Sequence, residues 1–403
     1  MLKKVCGYWN LVRHCYMNRI IKAVGEENYS DDPADLIAYS TDASMIEGKV
    51  KGVVWPRSTE DIRKVVTIAV QNNLNIVPRG AGTGLAGGAV PDRSLVMDLS
   101  RMTDIKVSLS ESYAIVEAGV VVDTLNKALE PHGLFFPVIP SSSSVATIGG
   151  MIATNAAGNR AIKYGRMMDW LISLEVVDGA GRIYEIKSGF EKFCGTEGTV
   201  GIISQAKIKL TKPLGSTTLT VATADTSEDL IAKLASFRGI ADVVAIEVMD
   251  RLLSKMSGLP ERYHLIVEFV GHGGEIKDAL EIRRWWEKRE ACWPIVSSNG
   301  YVLMEDPQAD NLHPLIDWLD KNGIPYFGHI GLGIVHPAFR KDQKARIAEM
   351  HELVKSIGGN VSGEHGIGIT KKAFVTEERI NMILELKKKY EPNNILNIGK
   401  VVP

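Results

Sequence analysis

Three histidines and one glutamate stand in two short glycine-rich stretches of this 403-residue chain. His329 and His336 are seven positions apart in the first stretch, and Glu364 and His365 are neighbours in the second. Two imidazoles and one carboxylate form an open-sided ligand set, as used by metal ions that must also hold a substrate. His365 would then be free to act as a base, since imidazole titrates near neutral pH. The alternative is that these are ordinary histidines of turns and core.

The spacing of His329 and His336 requires a bent backbone if the two rings are to meet. On a straight strand, an odd spacing puts the side chains on opposite faces. A helix would place them together, but Gly331 and Gly333 lie between them and glycine disfavours helices. Glycine also tolerates backbone angles that other residues avoid. The sequence therefore predicts a glycine-bent turn.

The composition excludes several classes of protein. The 47 basic and 48 acidic residues balance, so no bulk field favours nucleic acid or an anionic membrane surface. No apolar run reaches the length needed to cross a bilayer, and polar residues interrupt the N-terminus before the apolar core of a signal peptide could form. We therefore expect a cytoplasmic protein with no transmembrane segment and no nucleic-acid partner.

The four cysteines are scattered along the chain at Cys6, Cys15, Cys194 and Cys292. None forms a C-x-x-C pair, so the pattern indicates neither a disulfide framework nor an iron–sulfur cluster within this chain. Cys6 and Cys15 flank His14 in an N-terminal tail that we interpret as a surface appendage. Metal or partner binding by this tail is the alternative.

The elements before position 100 lead to a glycine-rich loop. Ser58 has the features of an N-cap for a helix that should run to about residue 72. A short strand at 75–79 then feeds the loop Gly80–Gly88, and a further strand follows at 94–99. Beyond Pro213, alternating strands and helices predict a second α+β layer.

The loop Gly80–Gly88 offers many backbone N–H groups, which form an anion-binding concavity. Pro91 and a strand follow it, whereas the glycine loop of a dinucleotide-binding Rossmann unit opens onto a long helix. No Gly-Lys-Ser/Thr ends the run, which excludes a P-loop. The loop indicates a phosphate-bearing cofactor, and the alternative is a plain glycine-rich connection.

Two further segments favour a flat, polar ligand. Pro140–Gly158 combines hydroxyl groups, small side chains and glycines, which permit close approach and hydrogen bonding. Gly195–Ile203 likewise combines glycines with hydroxyl groups, and Glu197 lies between two of the glycines. Glu197 is either a turn residue or a contact of the cofactor.

Together, Arg79–Gly88, Pro140–Gly158, Tyr164-Gly165 and Gly195–Thr199 resemble the motifs of the FAD-linked oxidase family, which has the vanillyl-alcohol-oxidase or PCMH-type flavin fold. Within it, the chain is similar to the flavoprotein subunit of glycolate oxidase and to FAD-dependent D-lactate and D-2-hydroxyglutarate dehydrogenases. The resemblance extends from about residue 31 to a closing motif at Glu391–Lys400.

The resemblance implies an α+β fold with two α+β subdomains clasping FAD. It predicts an N-terminal tail at 1–30, the PCMH-type FAD-binding domain at 31–212, a small α+β cap at 213–325 and a largely helical closing segment at 326–403. Both the cap and the stretch Gly181–Phe193 are shorter than is usual in the family.

It also implies a set of cofactor contacts, with Arg79 to Leu85 on the pyrophosphate. The residues are Arg79, Gly80, Ala81, Gly82, Thr83, Gly84, Leu85, Pro140, Ser141, Ser142, Thr147, Gly150, Thr154, Asn155, Gly158, Tyr164, Glu197, Ile203 and Asn397. Members with covalent flavin carry a histidine in the first loop, and Arg79–Gly88 has none. The FAD is therefore expected to be bound non-covalently.

For the second half, the resemblance implies a divalent metal (Zn²⁺, Mn²⁺ or Fe²⁺) on His329, His336 and Glu364, with His365 as the base. Arg289 would bind the substrate carboxylate; the alternative for Arg289 is a solvated helix charge.

The chain departs from the family pattern Gly-His-x-Gly-Asp-Gly-Asn-x-His at two positions. It carries Leu332 and Ile334 in place of the Asp and the Asn. Those polar residues would support the metal ligands from behind.

These features predict an FAD-dependent dehydrogenase of small D-2-hydroxy acids such as lactate or glycolate. The 2-oxo acid would form by hydride transfer to flavin N5, and electrons would pass to an iron–sulfur partner protein or a quinone. One alternative is an electron-transfer subunit of a larger iron–sulfur complex. The other is a metal-free FAD oxidase of a different alcohol.

Overall fold

A computed structural model describes residues 16–402, and the strands of this range form three sheets. The first sheet contains β1 (Tyr29–Ser30), β2 (Lys49–Val54), β3 (Ile76–Arg79) and β4 (Asp92–Asp98), in the order β1-β2-β4-β3. Both β2 and β3 run parallel to β4. This topology directs the loop after β3, which is the glycine-rich loop, to one edge of the sheet.

The second sheet is antiparallel throughout. It contains β5 (Ile105–Ser108), β6 (Tyr113–Glu117), β7 (Leu171–Asp178), β8 (Ile183–Ile186) and β9 (Gly201–Lys209), in the order β5-β6-β9-β7-β8. The long connection from β6 to β7 carries the segment Pro140–Gly158.

The third sheet is also antiparallel. Its strands are β10 (Thr217–Ala224), β11 (Val243–Met249), β12 (Tyr263–Val270), β13 (Leu303–Met304), β14 (Tyr326–Gly328) and β15 (His336–Phe339), in the order β10-β12-β11-β14-β15-β13. The predicted boundary at residue 325 therefore falls within this sheet, because β14 and β15 complete it.

Helices cover the sheets and close the chain. They are residues 16–24 (α1), Pro33–Ala38 (α2), Thr59–Gln71 (α3), Val122–Leu129 (α4), Ile148–Thr154 (α5), Ala161–Tyr164 (α6), Ser227–Phe237 (α7), Arg251–Met256 (α8), Ala279–Glu290 (α9), Cys292–Ser298 (α10), His313–Lys321 (α11), Lys344–Ser356 (α12) and Glu377–Tyr390 (α13). In the range that the structure describes, no helix has the length and apolar character to cross a membrane.

The predicted α+β class is confirmed, and the predicted start of α3 agrees with the structure. Ser58 caps α3 by accepting a hydrogen bond from the Asp61 N–H. Asp278 caps α9 in the same way, through the N–H of Glu281.

The interpretation of the N-terminal region as a surface appendage is wrong for its described part. Ile20 is fully buried in α1, and Tyr16, Met17 and Val24 are almost so. They pack into the same apolar cluster as Val66 of α3. The stretch that holds Cys6, His14 and Cys15 lies outside the described residues.

A buried ion pair connects the third sheet to the connection between β6 and β7. The guanidinium of Arg160 donates two hydrogen bonds, of 2.7 and 2.9 Å, to the carboxylate of Glu268 in β12. The Glu268 side chain is completely buried, whereas that of Arg160 is 37% exposed. Removing the guanidinium would leave a buried carboxylate without its partner.

We expect Arg160→Ala to lower the free energy of unfolding by about 3 kcal/mol, because an unpaired buried charge is strongly destabilising. Arg262→Ala is the matched control, since Arg262 makes a two-point ion pair with Asp225 at an exposed site. We expect it to cost much less, because solvent screens an exposed ion pair. Urea unfolding followed by fluorescence would measure both, and equal losses would contradict the role assigned to Arg160.

Candidate active site

The bent turn predicted between the two histidines is confirmed. β14 ends at Gly328, a single 3₁₀ turn covers Ile330–Leu332, and His336 begins β15. Gly333 ends the turn with a φ of 74°, and a Cβ there would lie 2.4 Å from the Ala309 carbonyl oxygen. Glycine is therefore required at this position by both the backbone angle and the space.

The turn brings both imidazoles to the carboxylate of Glu364. Its Oε1 lies 3.5 Å from His329 Nε2 and 3.2 Å from His336 Nε2. One ligand atom from each of the three residues falls within 4.8 Å of the others. Tetrahedral ligands at about 2.0–2.1 Å from a zinc ion sit roughly 3.4 Å apart. The three side chains therefore fit a divalent cation.

A second carboxylate, that of Glu247 in β11, orients this cluster. Its Oε1 lies 2.7 Å from His329 Nδ1, which turns the Nε2 of that ring toward Glu364. Its Oε2 accepts a 2.6 Å hydrogen bond from Arg289 Nε. A carboxylate behind a ligating histidine fixes both the tautomer and the ring orientation.

The loop that carries Glu364 and His365 is built around Asp306. Its Oδ2 accepts 2.6 Å hydrogen bonds from the backbone N–H groups of both residues and a 3.0 Å bond from the Ser362 hydroxyl. Lys371 donates to the other oxygen. Burial opposes ionisation of Asp306, but Lys371 and His365 outweigh it and lower its pKa to about 2.

His365 faces the ligand cluster from this loop. Its ring stacks on that of His336, with centroids 5.0 Å apart and planes 15° apart. Its Nδ1 lies 3.7 Å from Asp306 Oδ1, and its Nε2 lies 3.7 Å from Glu364 Oε1. The base predicted from the sequence thus lies beside the ligands predicted with it.

The two ligand histidines have different electrostatic environments. Burial disfavours a charge on His329, but the carboxylates of Glu247 and Glu364 outweigh that effect and raise its pKa to about 9. For His336, burial dominates and lowers the pKa to about 4. At neutral pH, His329 therefore carries the additional proton of an imidazolium, whereas His336 is neutral.

Arg289 is 3% exposed, so its interpretation as a solvated helix charge is wrong. Its Nε is held by Glu247 and its guanidinium carbon lies 4.8 Å from the centre of the Phe327 ring. The terminal nitrogens are left for another acceptor, in the cavity that the histidines also line. A guanidinium fixed in this way suits a planar carboxylate.

One cavity of about 530 Å³ joins this cluster to the glycine-rich segments. It is lined by Arg79, Gly80, Ala81, Gly82, Thr83, Gly84, Leu85, Pro140, Ser141, Ser142, Thr147, Gly150, Thr154, Glu197, Ile203, Arg289, His329, His336, Glu364 and His365. The structure therefore brings most of the predicted site residues to one space.

The glycine-rich end of this cavity has the features of a phosphate cradle. Within residues 16–402, the N–H groups of Ala81 to Leu85 donate to no backbone carbonyl. A Cβ at Gly80 would lie 2.3 Å from the Thr147 hydroxyl oxygen, so only glycine lets the loop approach the start of α5 this closely. These features fit the pyrophosphate of FAD.

Four predicted cofactor residues do not line this cavity. Asn155 ends α5 and accepts a hydrogen bond from the Met168 N–H. A Cβ at Gly158 would lie 2.5 Å from the Ile139 carbonyl oxygen. The carbonyl of Tyr164 accepts from the Trp170 indole, and Asn397 donates to two backbone carbonyls. Each packs or ties neighbouring segments, and its contact with a cofactor stays a prediction.

Glu197 lines the cavity and also holds the closing segment. Its Oε1 accepts a 2.6 Å hydrogen bond from the Ile367 N–H, and its Oε2 accepts one of 3.0 Å from Gly368. The Asn397 side chain donates to the Glu197 carbonyl at 2.6 Å. Burial raises the pKa of Glu197 to about 7. Glu197 thus anchors the segment of Ile367 and Gly368 and also forms part of the cavity wall.

Sequence reasoning missed Glu247 and Asp306. Glu247 is the one charged residue in the strand Val243–Met249. A buried carboxylate must have partners, so a single charge in an otherwise apolar strand could have indicated a site residue. Asp306 stands in an irregular stretch with no periodic pattern. The apolar Ile334 stands where the family pattern has Asn. It packs against Gly363 and so supports the loop that carries Glu364 and His365.

Comparison with known proteins also indicates the FAD-linked oxidase family. Residues 50–187 match the model of an FAD binding domain, and residues 261–401 match that of the C-terminal domain of FAD linked oxidases. The glycolate oxidase subunit GlcD of Bacillus subtilis is 30% identical, with 95% of this chain and 96% of the relative covered. The D-lactate dehydrogenase of Archaeoglobus fulgidus is 31% identical, with 87% and 91% covered.

A third relative and one solved structure extend these likenesses. The D-2-hydroxyglutarate dehydrogenase of Xanthomonas citri pv. viticola is 26% identical, with 94% of this chain and 95% of the relative covered. The structure of 4-ethylphenol oxidase from Gulosibacter chungangensis superposes with a TM-score of 0.77 at 16% identity, covering 96% of this chain and 97% of the other. That likeness concerns the fold.

We expect uptake of Zn²⁺ or Mn²⁺ near neutral pH to release about one proton per chain, because a ligating histidine must be neutral. His329, with its pKa of about 9, supplies that proton, while His336 is already neutral. The apparent affinity should therefore rise by up to about tenfold per pH unit until the pKa of His329 is reached, and level off above it.

Metal titrations by calorimetry in two buffers of different ionisation enthalpy would measure this proton release. Glu364→Gln should abolish the uptake. His272→Gln is the control, since His272 is exposed and belongs neither to the cluster nor to the cavity lining. An affinity that is independent of pH over this range would contradict the assignment.

Proposed function

Because the chain belongs to the FAD-linked oxidase family, we propose that it oxidises a small D-2-hydroxy acid of the lactate or glycolate type to the 2-oxo acid, with FAD as the hydride acceptor. The observation that carries this proposal is the linkage through Glu247. One buried carboxylate holds a metal-ligating histidine and the guanidinium of Arg289, so the groups suited to a hydroxyl and to a carboxylate face one cavity.

Arg289 binds and orients the substrate in this proposal. With Nε fixed on Glu247, its terminal nitrogens present two donors to a substrate carboxylate. This contact sets which face of the α-carbon meets the flavin side of the cavity. Restricting a reactant to one orientation is a large part of enzymatic rate enhancement.

His365 takes the hydroxyl proton. Its Nε2 lies on the Glu364 side of the ring, and its Nδ1 lies on the Asp306 side. Asp306 holds the backbone of His365 and so positions the ring next to the metal ligands. When bound, FAD supplies hydride acceptance at N5, and a Zn²⁺, Mn²⁺ or Fe²⁺ ion on His329, His336 and Glu364 supplies polarisation of the α-hydroxyl.

The electrons then leave to an external acceptor. The sequence has no nicotinamide-binding fingerprint, and the described cysteines, Cys194 and Cys292, are separate buried thiols. One relative is itself named as a subunit of glycolate oxidase, which favours a protein partner. We therefore assign the reoxidation to an iron–sulfur partner protein or a quinone, in the cytoplasm.

Replacing His365 by Gln is expected to slow flavin reduction by about two to four orders of magnitude, as for the loss of a positioned base. The FAD content should be unchanged, because the phosphate cradle lies in other segments. The measurement is anaerobic bleaching of the flavin by D-lactate and by glycolate in a stopped-flow instrument. His272→Gln should reduce at the rate of the parent protein, and near-parental rates in His365→Gln would remove His365 from the mechanism.

The isolated chain is expected to turn over well with an artificial dye and poorly with oxygen or NAD. Steady-state rates with the three acceptors give this comparison directly. Affinity purification of the protein from its source should then recover an iron–sulfur protein. Fast oxygen turnover by the chain alone, with no such protein recovered, would instead indicate a self-sufficient oxidase.

A further inference from the structure

The cavity has an apolar wall next to Arg289. Trp293 of α10, Met304 of β13 and Phe327 of β14 all line it, and they belong to one apolar cluster. Phe327 also lies against the ring of His336, with centroids 5.3 Å apart. The wall therefore adjoins both Arg289, the residue proposed to bind the substrate carboxylate, and His336. The side chain of a bound hydroxy acid would extend along this wall.

Apart from the histidine cluster, which the proposal assigns to the hydroxyl group, this part of the cavity has no described lysine or arginine besides Arg289 to receive another carboxylate. Among the described residues that line the cavity, the arginines are Arg79 and Arg289, and there is no lysine. Arg79 belongs to the glycine-rich loop, where it donates to the Thr41 carbonyl at 2.7 Å and lies over the ring of Tyr39. Arg289 is the clamp itself.

An acidic residue also lines the cavity next to Arg289. Glu290 is the last residue of α9, directly after the clamp, and it is exposed at the cavity lining. A second carboxylate on a substrate held by Arg289 would therefore share the cavity with this negative charge. Like charges brought together in this way oppose binding.

Resting on the proposed oxidation of 2-hydroxy acids, we propose that this site selects monocarboxylic acids with an apolar side chain and rejects 2-hydroxy dicarboxylic acids. Trp293, Met304 and Phe327 contribute the attraction for the side chain. Glu290 contributes the repulsion of a second carboxylate. Selectivity of this kind combines a favourable contact for one substrate with an unfavourable one for its competitor.

The first test compares kcat/KM along a series of D-2-hydroxy acids. From lactate to 2-hydroxybutyrate and 2-hydroxyisocaproate, we expect an increase of about fourfold per methylene that becomes buried. Malate and 2-hydroxyglutarate should be slower than the apolar acids by on the order of a hundredfold. A preference for either dicarboxylate over the apolar series would overturn the proposal.

Variants then separate the two contributions. Glu290→Gln should raise kcat/KM for 2-hydroxyglutarate by about tenfold and change that for 2-hydroxyisocaproate much less, since the single carboxylate of the latter is paired with Arg289. Glu287→Gln is the matched control on the same helix, because Glu287 is exposed and pairs with Arg283 instead of lining the cavity. Trp293→Leu should lower kcat/KM for 2-hydroxyisocaproate more than for lactate. Equal effects of both glutamate variants would assign the selectivity elsewhere.

A binding measurement distinguishes this proposal from the oxidation on which it rests. Carboxylates that lack the hydroxyl group can be titrated into the flavin-loaded protein and followed by the flavin absorbance. If no 2-hydroxy acid reduces the flavin, the proposed oxidation fails, but 4-methylvalerate should still bind more tightly than glutarate. Equal or tighter binding of glutarate would overturn the inferred selectivity whether or not turnover occurs.

Discussion

The buried carboxylate of Glu247 is the group on which the geometry of the site depends. A carboxylate removed from water costs several kcal/mol unless partners compensate it, and Glu247 has one on each oxygen. Those partners, His329 and Arg289, come from the turn after β14 and from α9. The relative position of the His329 imidazole and the Arg289 guanidinium is therefore set by one strand of the third sheet.

The loop of Glu364 and His365 is held in a comparable way from two sides. Asp306 binds its first half through backbone N–H groups, and Glu197 binds its second half at Ile367 and Gly368. Asp306 lies just after β13 of the third sheet, whereas Glu197 lies just before β9 of the second sheet. The loop thus joins the glycine-rich segments to the histidine turn.

Much of this arrangement could be predicted from sequence because it depends on local constraints. Glycines between His329 and His336 predicted the bend, and Ser58 predicted the start of α3. Glu247 and Asp306 could not be placed, because their partners lie 82 and 59 residues away and only the folded chain brings them together. The burial of α1 could have been predicted, since Tyr16, Ile20 and Val24 follow one another at helical spacing. A position near the end of a chain does not by itself imply exposure to solvent, which is why the interpretation as a surface appendage is wrong.

The double attachment of the 362–368 loop also bears on its exchange with solvent. The amide protons of Glu364, His365, Ile367 and Gly368 are all donated to side-chain carboxylates instead of a helix or strand partner. Their exchange with deuterium therefore requires release of Asp306 or Glu197, and not the unfolding of a secondary-structure element. Slow exchange at these amides would mark the glycine-rich segments and the histidine turn as one cooperative unit, and separation of the two would release these protons together.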